Sequence, residues 1–260
     1  MKSNKNASIA VFVFSAALCA LVPITEAQPL TRLKGRVVDG RGQPVENAVV
    51  NIEALSGFLG DPYAGQRTFE VKTDKKGEWA LIGFKAGIWV FDARLEGRLP
   101  GAVALPITLL AGAGSGLGDV LPAWHPVLRL MTPPTGEEGD LLVDAADAAR
   151  EGVRSAAMLP LRRLQSSANP DVLVAAGNIC LTMRDPVSAL PFFRKALERR
   201  PDSFEATIGV ASSALMQRDY NLAVKSFDEA RARTKDKDER SYITVAIGEL
   251  NKVHVTYKAY

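Results

Sequence analysis

Histidine and cysteine are nearly absent from this chain, with two of each in 260 residues. His125 stands in a proline-flanked loop and His254 near the C-terminus. Neither belongs to an HExxH or HxxE spacing and no cysteine lies nearby, so a zinc site lacks its ligands. Cys19 falls in the N-terminal apolar stretch, which leaves Cys180 without an intrachain partner. No disulfide framework holds the fold, and a chain of this length can bury enough core without one. Cys180 lies in an apolar helical stretch and reads as a small buried hydrophobe rather than a reactive thiol. Charge of one sign is also scarce. The 32 basic residues face 29 acidic ones with no like-charge block, so the electrostatic footprint of a nucleic-acid binder is missing.

Long apolar runs are few as well. The run from Ile9 to Val22 is short for a membrane span of about 20 residues, and Pro23 ends it. Lys2 and Lys5 precede it and Thr25-Glu26-Ala27 follow, the layout of a secretory signal peptide over residues 1–27 with cleavage before Gln28. The alternative is an uncleaved anchor. Leu18 is too bulky for a lipoprotein site at Cys19. Cleavage removes Lys2, Lys5 and Glu26, leaving 30 basic against 28 acidic residues. The expected location is periplasmic or secreted, with no membrane span after signal cleavage.

What is present divides by period, and the expected fold class is multidomain, β then α. From Leu33 to about Met131, apolar and polar residues alternate in KGRVVD, NAVVNIEA, RTFEVKT, EWALIG and IWVFDARLEG. Turn chemistry at Asp39-Gly40-Arg41-Gly42, Asp74-Lys75-Lys76-Gly77 and Lys85-Ala86-Gly87 separates these runs. Short strands joined by tight turns favour an antiparallel sandwich over 31–131. In the last run Trp89, Phe91, Ala93 and Leu95 share one face, and Val90, Asp92, Arg94 and Glu96 the other, so one face is expected to be core.

The segments LKGRVVDGRGQPVENAVVNIEA and KTDKKGEWALIGFKAGIWVFDARLEG resemble the carboxypeptidase regulatory-like domain, a transthyretin-like β-sandwich. The resemblance rests on Gly35, Val37 and Asp39, on Gly42-Gln43-Pro44 and Ala48-Val49-Val50, and on Thr73-Asp74 with Gly77 and Gly87. It covers roughly residues 31–100 and departs between Ala54 and Gln66 and after Pro100. Nothing resembles the catalytic domain of the metallocarboxypeptidases. The glycine-rich insertion 109–126 carries neither GxGxxG nor a P-loop lysine, and Ser115 lacks the flanking glycines of a nucleophile elbow. It reads as a loop, and 132–139 reads as the linker.

From Asp140 the period becomes helical through residue 260. The stretch 140–164 forms one or two helices, with a break or kink expected at Pro160, and Pro170 opens the next. An Arg-Asp pair recurs at 184–185 and 218–219, a spacing of 34. At that shift Gly177 meets Ala211, Ala189 meets Ala223, Phe193 meets Phe227 and Ala196 meets Ala230. This small/aromatic/small pattern resembles the tetratricopeptide repeat, a stacked helical hairpin. Repeats are placed at about 170–203 and 204–237, with a cap helix at 238–253. The Arg-Asp pair then marks a turn between stacked helices and not a catalytic element.

No metal, cofactor or catalytic residue is nominated, and KDKDE at 235–239 reads as a solvated inter-helix loop that fits no calcium loop. The expected function is that of a non-catalytic exported adaptor with a protein or peptide partner. The repeat resemblance implies a groove lined by Val174, Asn178, Thr182, Ile208, Ser212 and Met216. The alternative is a module that binds a carbohydrate or envelope polymer through the β-sandwich, stacking polysaccharide on Phe58, Tyr63 and Trp124.

Overall fold

The computed structural model describes residues 31–56, 68–84, 87–107 and 125–258. The leader, the loop holding Phe58 and Tyr63, and most of the glycine-rich insertion with Trp124 lie outside the described residues. The order is β then α. Among the described residues seven strands come first: β1 (Thr31–Asp39), β2 (Val49–Ser56), β3 (Thr68–Lys72), β4 (Glu78–Phe84), β5 (Gly87–Arg94), β6 (Gly101–Ile107) and β7 (Val127–Leu130). Seven helices follow: α1 (Glu137–Arg150), α2 (Arg154–Leu164), α3 (Pro170–Thr182), α4 (Pro186–Arg199), α5 (Phe204–Met216), α6 (Tyr220–Arg233) and α7 (Lys237–Lys258).

The strands form two sheets, ordered β4-β1-β7 and β3-β2-β5-β6. Alternating apolar residues from both meet in one core of Leu33, Val37, Ile52, Trp79, Phe91 and Leu128. Trp79 of the first sheet stacks on Phe91 of the second with ring centroids 5.9 Å apart. The ring of Trp79 also covers Gly35, its partner across the β1–β4 ladder, where an added Cβ would lie 2.4 Å from the indole. Two connections repeat one device. Asp39 accepts the N–H groups of Arg41 and Gln43 through a single carboxylate oxygen, and Asp74 does the same for Lys76 and Glu78. Gly77 completes the second turn at φ 70°, with the Val37 carbonyl 2.4 Å from where a Cβ would sit.

Three sequence expectations change here. The strands are not all antiparallel, because β7 runs parallel to β1. The α1–α2 break falls at Gly152 (φ 76°), where Gly152 N–H and Val153 N–H close back on Ala149 and Ala148; Pro160 stays inside α2. And β5 is buried on both faces rather than one, because the helices cover the face that carries Val90 and Asp92.

The helices from α3 onward pack as successive pairs, and the recurring Arg-Asp forms their turns. Arg184 and Arg218 adopt left-handed φ of 58° and 61°. After each, the aspartate N–H reaches back to the carbonyl of Cys180 or Ala214, the closure usual at a helix C-terminus. Asp185 and Asp219 then cap the next helix by accepting the N–H of Ser188 and Leu222. Phe193 fills the space between the pairs. A Cβ at Gly177 of α3 would lie 2.6 Å from its ring and one at Gly209 of α5 2.3 Å away. Phe227, one repeat later, is fully buried in a core with Ala211, Tyr242, Ile243 and Ala246.

Overpacking at that wedge costs about 1–3 kcal/mol, more than the ~1 kcal/mol of helix propensity gained on replacing glycine. Gly209→Ala is therefore expected to lower the thermal midpoint by several degrees, and adding Phe193→Leu is expected to recover part of the loss. Calorimetry of the three proteins checks this.

Candidate functional site

The first helices of the pairs, α3, α5 and α7, lie against β6. That strand is an edge of its sheet, yet every residue in it is buried. Its outward Ala104 N–H donates to Ser212 Oγ at 3.0 Å in a buried bond. Of the groove candidates, Val174, Thr182, Ile208 and Ser212 are buried, while Asn178 and Met216 are half-buried. Asn178 and Ile208 share a small cavity with Gly101, Ala102 and Val103 of β6. Met216 packs between the two apolar cores, and the Thr182 hydroxyl turns back to the Ile179 carbonyl. Strand β6 therefore lies against the helices that carry the groove positions.

Arginines fasten the two halves. Arg184, at the α3–α4 turn, donates to Asp92 at 3.0 Å and to Glu53 at 2.8 Å. Asp92 is fully buried and also accepts from Asn51 and Arg94, so its charge is compensated within the interface. Arg36 of β1 pairs with Asp236 and Asp238, and Arg129 of β7 with the buried Glu239. The 235–239 segment, whose last three residues open α7, is thus a docking element and not the solvated loop its composition suggested. Burial works against charge on Asp236, but the Glu239 N–H and the Arg36 guanidinium outweigh it and hold the carboxyl below its usual range. Burial likewise opposes the charge on Arg129, and Glu239 more than restores it.

Between these fastenings lies a cleft of about 780 Å³, within the range of small-molecule sites. The β-domain contributes Asp39, Arg41, Arg98, Leu99, Arg129 and Met131. The helices contribute Leu142, Val172, Val174, Asn178, Arg200 and Glu205. Two of the groove candidates, Val174 and Asn178, stand one turn apart on its α3 wall. Arg200 is held by Asp171 in a two-pronged pair at 2.7 and 3.1 Å. Arg129 is committed to Glu239, with its Nε 3.6 Å from Glu205. Arg98 donates only to the Thr132 hydroxyl, and Arg41 has no side-chain hydrogen bond or ion pair among the described residues. Among the described residues neither has a carboxylate within ion-pair distance. Sequence reading missed these arginines because they come from four separate segments and share no motif or period.

Among the described residues no group of three or more histidine, cysteine or acidic side chains is placed to hold a metal. No described helix is long and apolar enough to cross a membrane. Cys180 is buried on α3, and burial pushes its thiol up to about 12.

No family model matches the chain, and no curated protein matches it. Solved structures similar to it include hydroxyquinol 1,2-dioxygenase from Pseudomonas putida DLL-E4, at 16% identity over 29% of this chain and 37% of that one, with a TM-score of 0.24. Another is 3-chlorocatechol 1,2-dioxygenase from Rhodococcus opacus 1CP, at 14% identity over 39% and 58% of the two chains, TM-score 0.27. A third is the dioxygenase domain of a dioxygenase carbohydrate-binding protein fusion from Streptomyces sp. SirexAA-E, at 16% identity over 42% and 80%, TM-score 0.25. The chain spans less than two thirds of the first two. The expectation of a non-catalytic adaptor, with its polymer-binding alternative, is corrected by these findings: the similar structures are enzymes. Likeness at this level assigns the chain no activity of its own.

Two outcomes follow from this interface. Arg184→Ala is expected to cost about 1–3 kcal/mol by leaving Asp92 with one fewer buried partner. Arg218→Ala, at the same φ but without a carboxylate partner, is expected to differ from wild type by about 0.5 kcal/mol or less; urea unfolding separates the two. Cys180 is expected to resist iodoacetamide at pH 8 in the folded protein and to react fully in denaturant, as read by mass spectrometry.

Proposed function

We propose that this chain is an exported two-domain protein that binds a small polar ligand in the cleft between its domains. In this reading a transthyretin-like sandwich of the carboxypeptidase regulatory type is locked onto a short tetratricopeptide-type array. The 34-residue recurrence of the Arg-Asp turns and of the phenylalanine wedge supports the helical half of the reading. The Asp39 and Asp74 turns and the Gly35–Trp79 contact support the other half. The layout of the first 27 residues supports export.

One observation carries the assignment of the site: the cleft draws its walls from both domains, so it exists only in their docked arrangement. A ligand there touches the Arg41 and Arg98 turns on one side and α3 on the other. Apolar surface from Leu99, Met131, Leu142 and Val174 gives it contact area, while the Asn178 amide offers both a donor and an acceptor. The side chain of Asn178 makes no hydrogen bond to any described residue. Site and scaffold are thus one unit, and binding adds to the free energy of docking.

A thermal-shift screen of the mature chain against small amino acids, sugars and organic acids tests this. A true ligand at 100 times its dissociation constant is expected to stabilise by about 2.7 kcal/mol, a rise of roughly 5–10 °C for a chain of this size. Asn178→Trp, which places a large ring in the cleft, is expected to abolish the rise while keeping the helical circular dichroism. A rise that persists undiminished in the folded variant, or no ligand from either the screen or native mass spectrometry of protein from its own source, would sink the reading.

A further inference from the structure

The cleft's charges are not balanced pair by pair. Four guanidiniums, of Arg41, Arg98, Arg129 and Arg200, share it with three carboxylates, of Asp39, Asp171 and Glu205. The arginines on the helical side and at β7 are already engaged, by Asp171 and by Glu239. Those at the β-domain turns have no carboxylate partner among the described residues. Arg41 is exposed and Arg98 half-buried, and both act on one nearby charge, that of Asp39. Asp39 does not satisfy them by contact: its Oδ1 accepts two turn N–H groups, and among the described residues neither arginine forms an ion pair with it. Leu99 and Met131 add apolar surface on the same wall, and across the cleft stand Val174 and the Asn178 amide, which makes no side-chain hydrogen bond among the described residues.

Resting on the reading of the cleft as a ligand site, we propose that its ligand is an organic anion. A carboxylate or phosphate monoester sits between Arg41 and Arg98, and its apolar body lies along Leu99, Met131 and Val174. A planar guanidinium presents paired donors to such a head group. Bringing an anion to Arg41 and Arg98 supplies the counter-charge that Asp39 does not provide by contact. The positions matter: the cations come from the β-domain turns, so the anionic end lies at those turns and the body runs past Leu99 and Met131 towards Val174 on α3.

The probes are hexanoate, hexyl phosphate and the neutral hexanamide, titrated into the mature chain by calorimetry. At least one of the two anions is expected to bind about tenfold or more tightly than hexanamide, and whichever it is identifies the head group. Its affinity is expected to fall severalfold between low and physiological salt. The double variant Arg41→Ala/Arg98→Ala is expected to lose at least tenfold in anion affinity. Arg150→Ala, whose partner Asp147 lies on its own helix, is expected to bind as wild type does. Should the double variant unfold, Arg41→Gln/Arg98→Gln keeps hydrogen-bonding capacity without charge and is expected to show the same loss. Equal binding of hexanamide that Asn178→Trp abolishes overturns the anion assignment while the cleft reading stands. Anion binding that survives both double variants also overturns it. Failure of all three probes overturns it too, and the ligand screen then decides the cleft reading separately.

Discussion

The hydrogen bond from Ala104 N–H to Ser212 Oγ marks the constraint that governs this molecule. An edge strand exposes a row of unpaired backbone groups, and isolated sheets must blunt or cover that edge. Here the cover is the inner side of the α3, α5 and α7 series. The strand can then be apolar throughout (GAVALPI) because no face or edge of it meets water. The helices gain in return, since a series of hairpins this short has an inner face with nothing of its own to bury it. Each half removes the other's exposed surface, and the arginine ties fix the register of the docking.

Much of this was legible in the sequence wherever a local rule sufficed. The Asp39 and Asp74 turns follow from an aspartate that bonds its own downstream backbone. The Arg-Asp recurrence follows from helix ends, with arginine taking the left-handed position that glycine more often fills and aspartate capping what comes next. Phe193 and Phe227 could be paired by spacing alone, and Cys180 could be placed inside by its neighbours. These features depend on residues within one or two turns of each other.

What escaped the sequence depends on docking. Asp92 alternates with apolar neighbours and so reads as solvent-facing, but its partner Arg184 lies 92 residues further on. KDKDE has the composition of a solvated loop, and only the arrival of Arg36 and Arg129 makes it an interface. The groove positions lie on α3 and α5, and nothing in the sequence signals that strand β6 packs against those helices. The cleft was invisible for the same reason, because its walls meet only after both domains have formed. Pro160 misled in another way. Gly152, free to take a left-handed φ, offered the cheaper place to end a helix.

The covered edge also bears on how the chain is made. Residues 104 and 212 are 108 positions apart, so β6 leaves the ribosome long before the helix that shields it. A nascent chain folding from its N-terminus would carry a bare, wholly apolar strand through that interval, open to pairing with any other extended segment. In this protein the order of emergence and the architecture pull against each other.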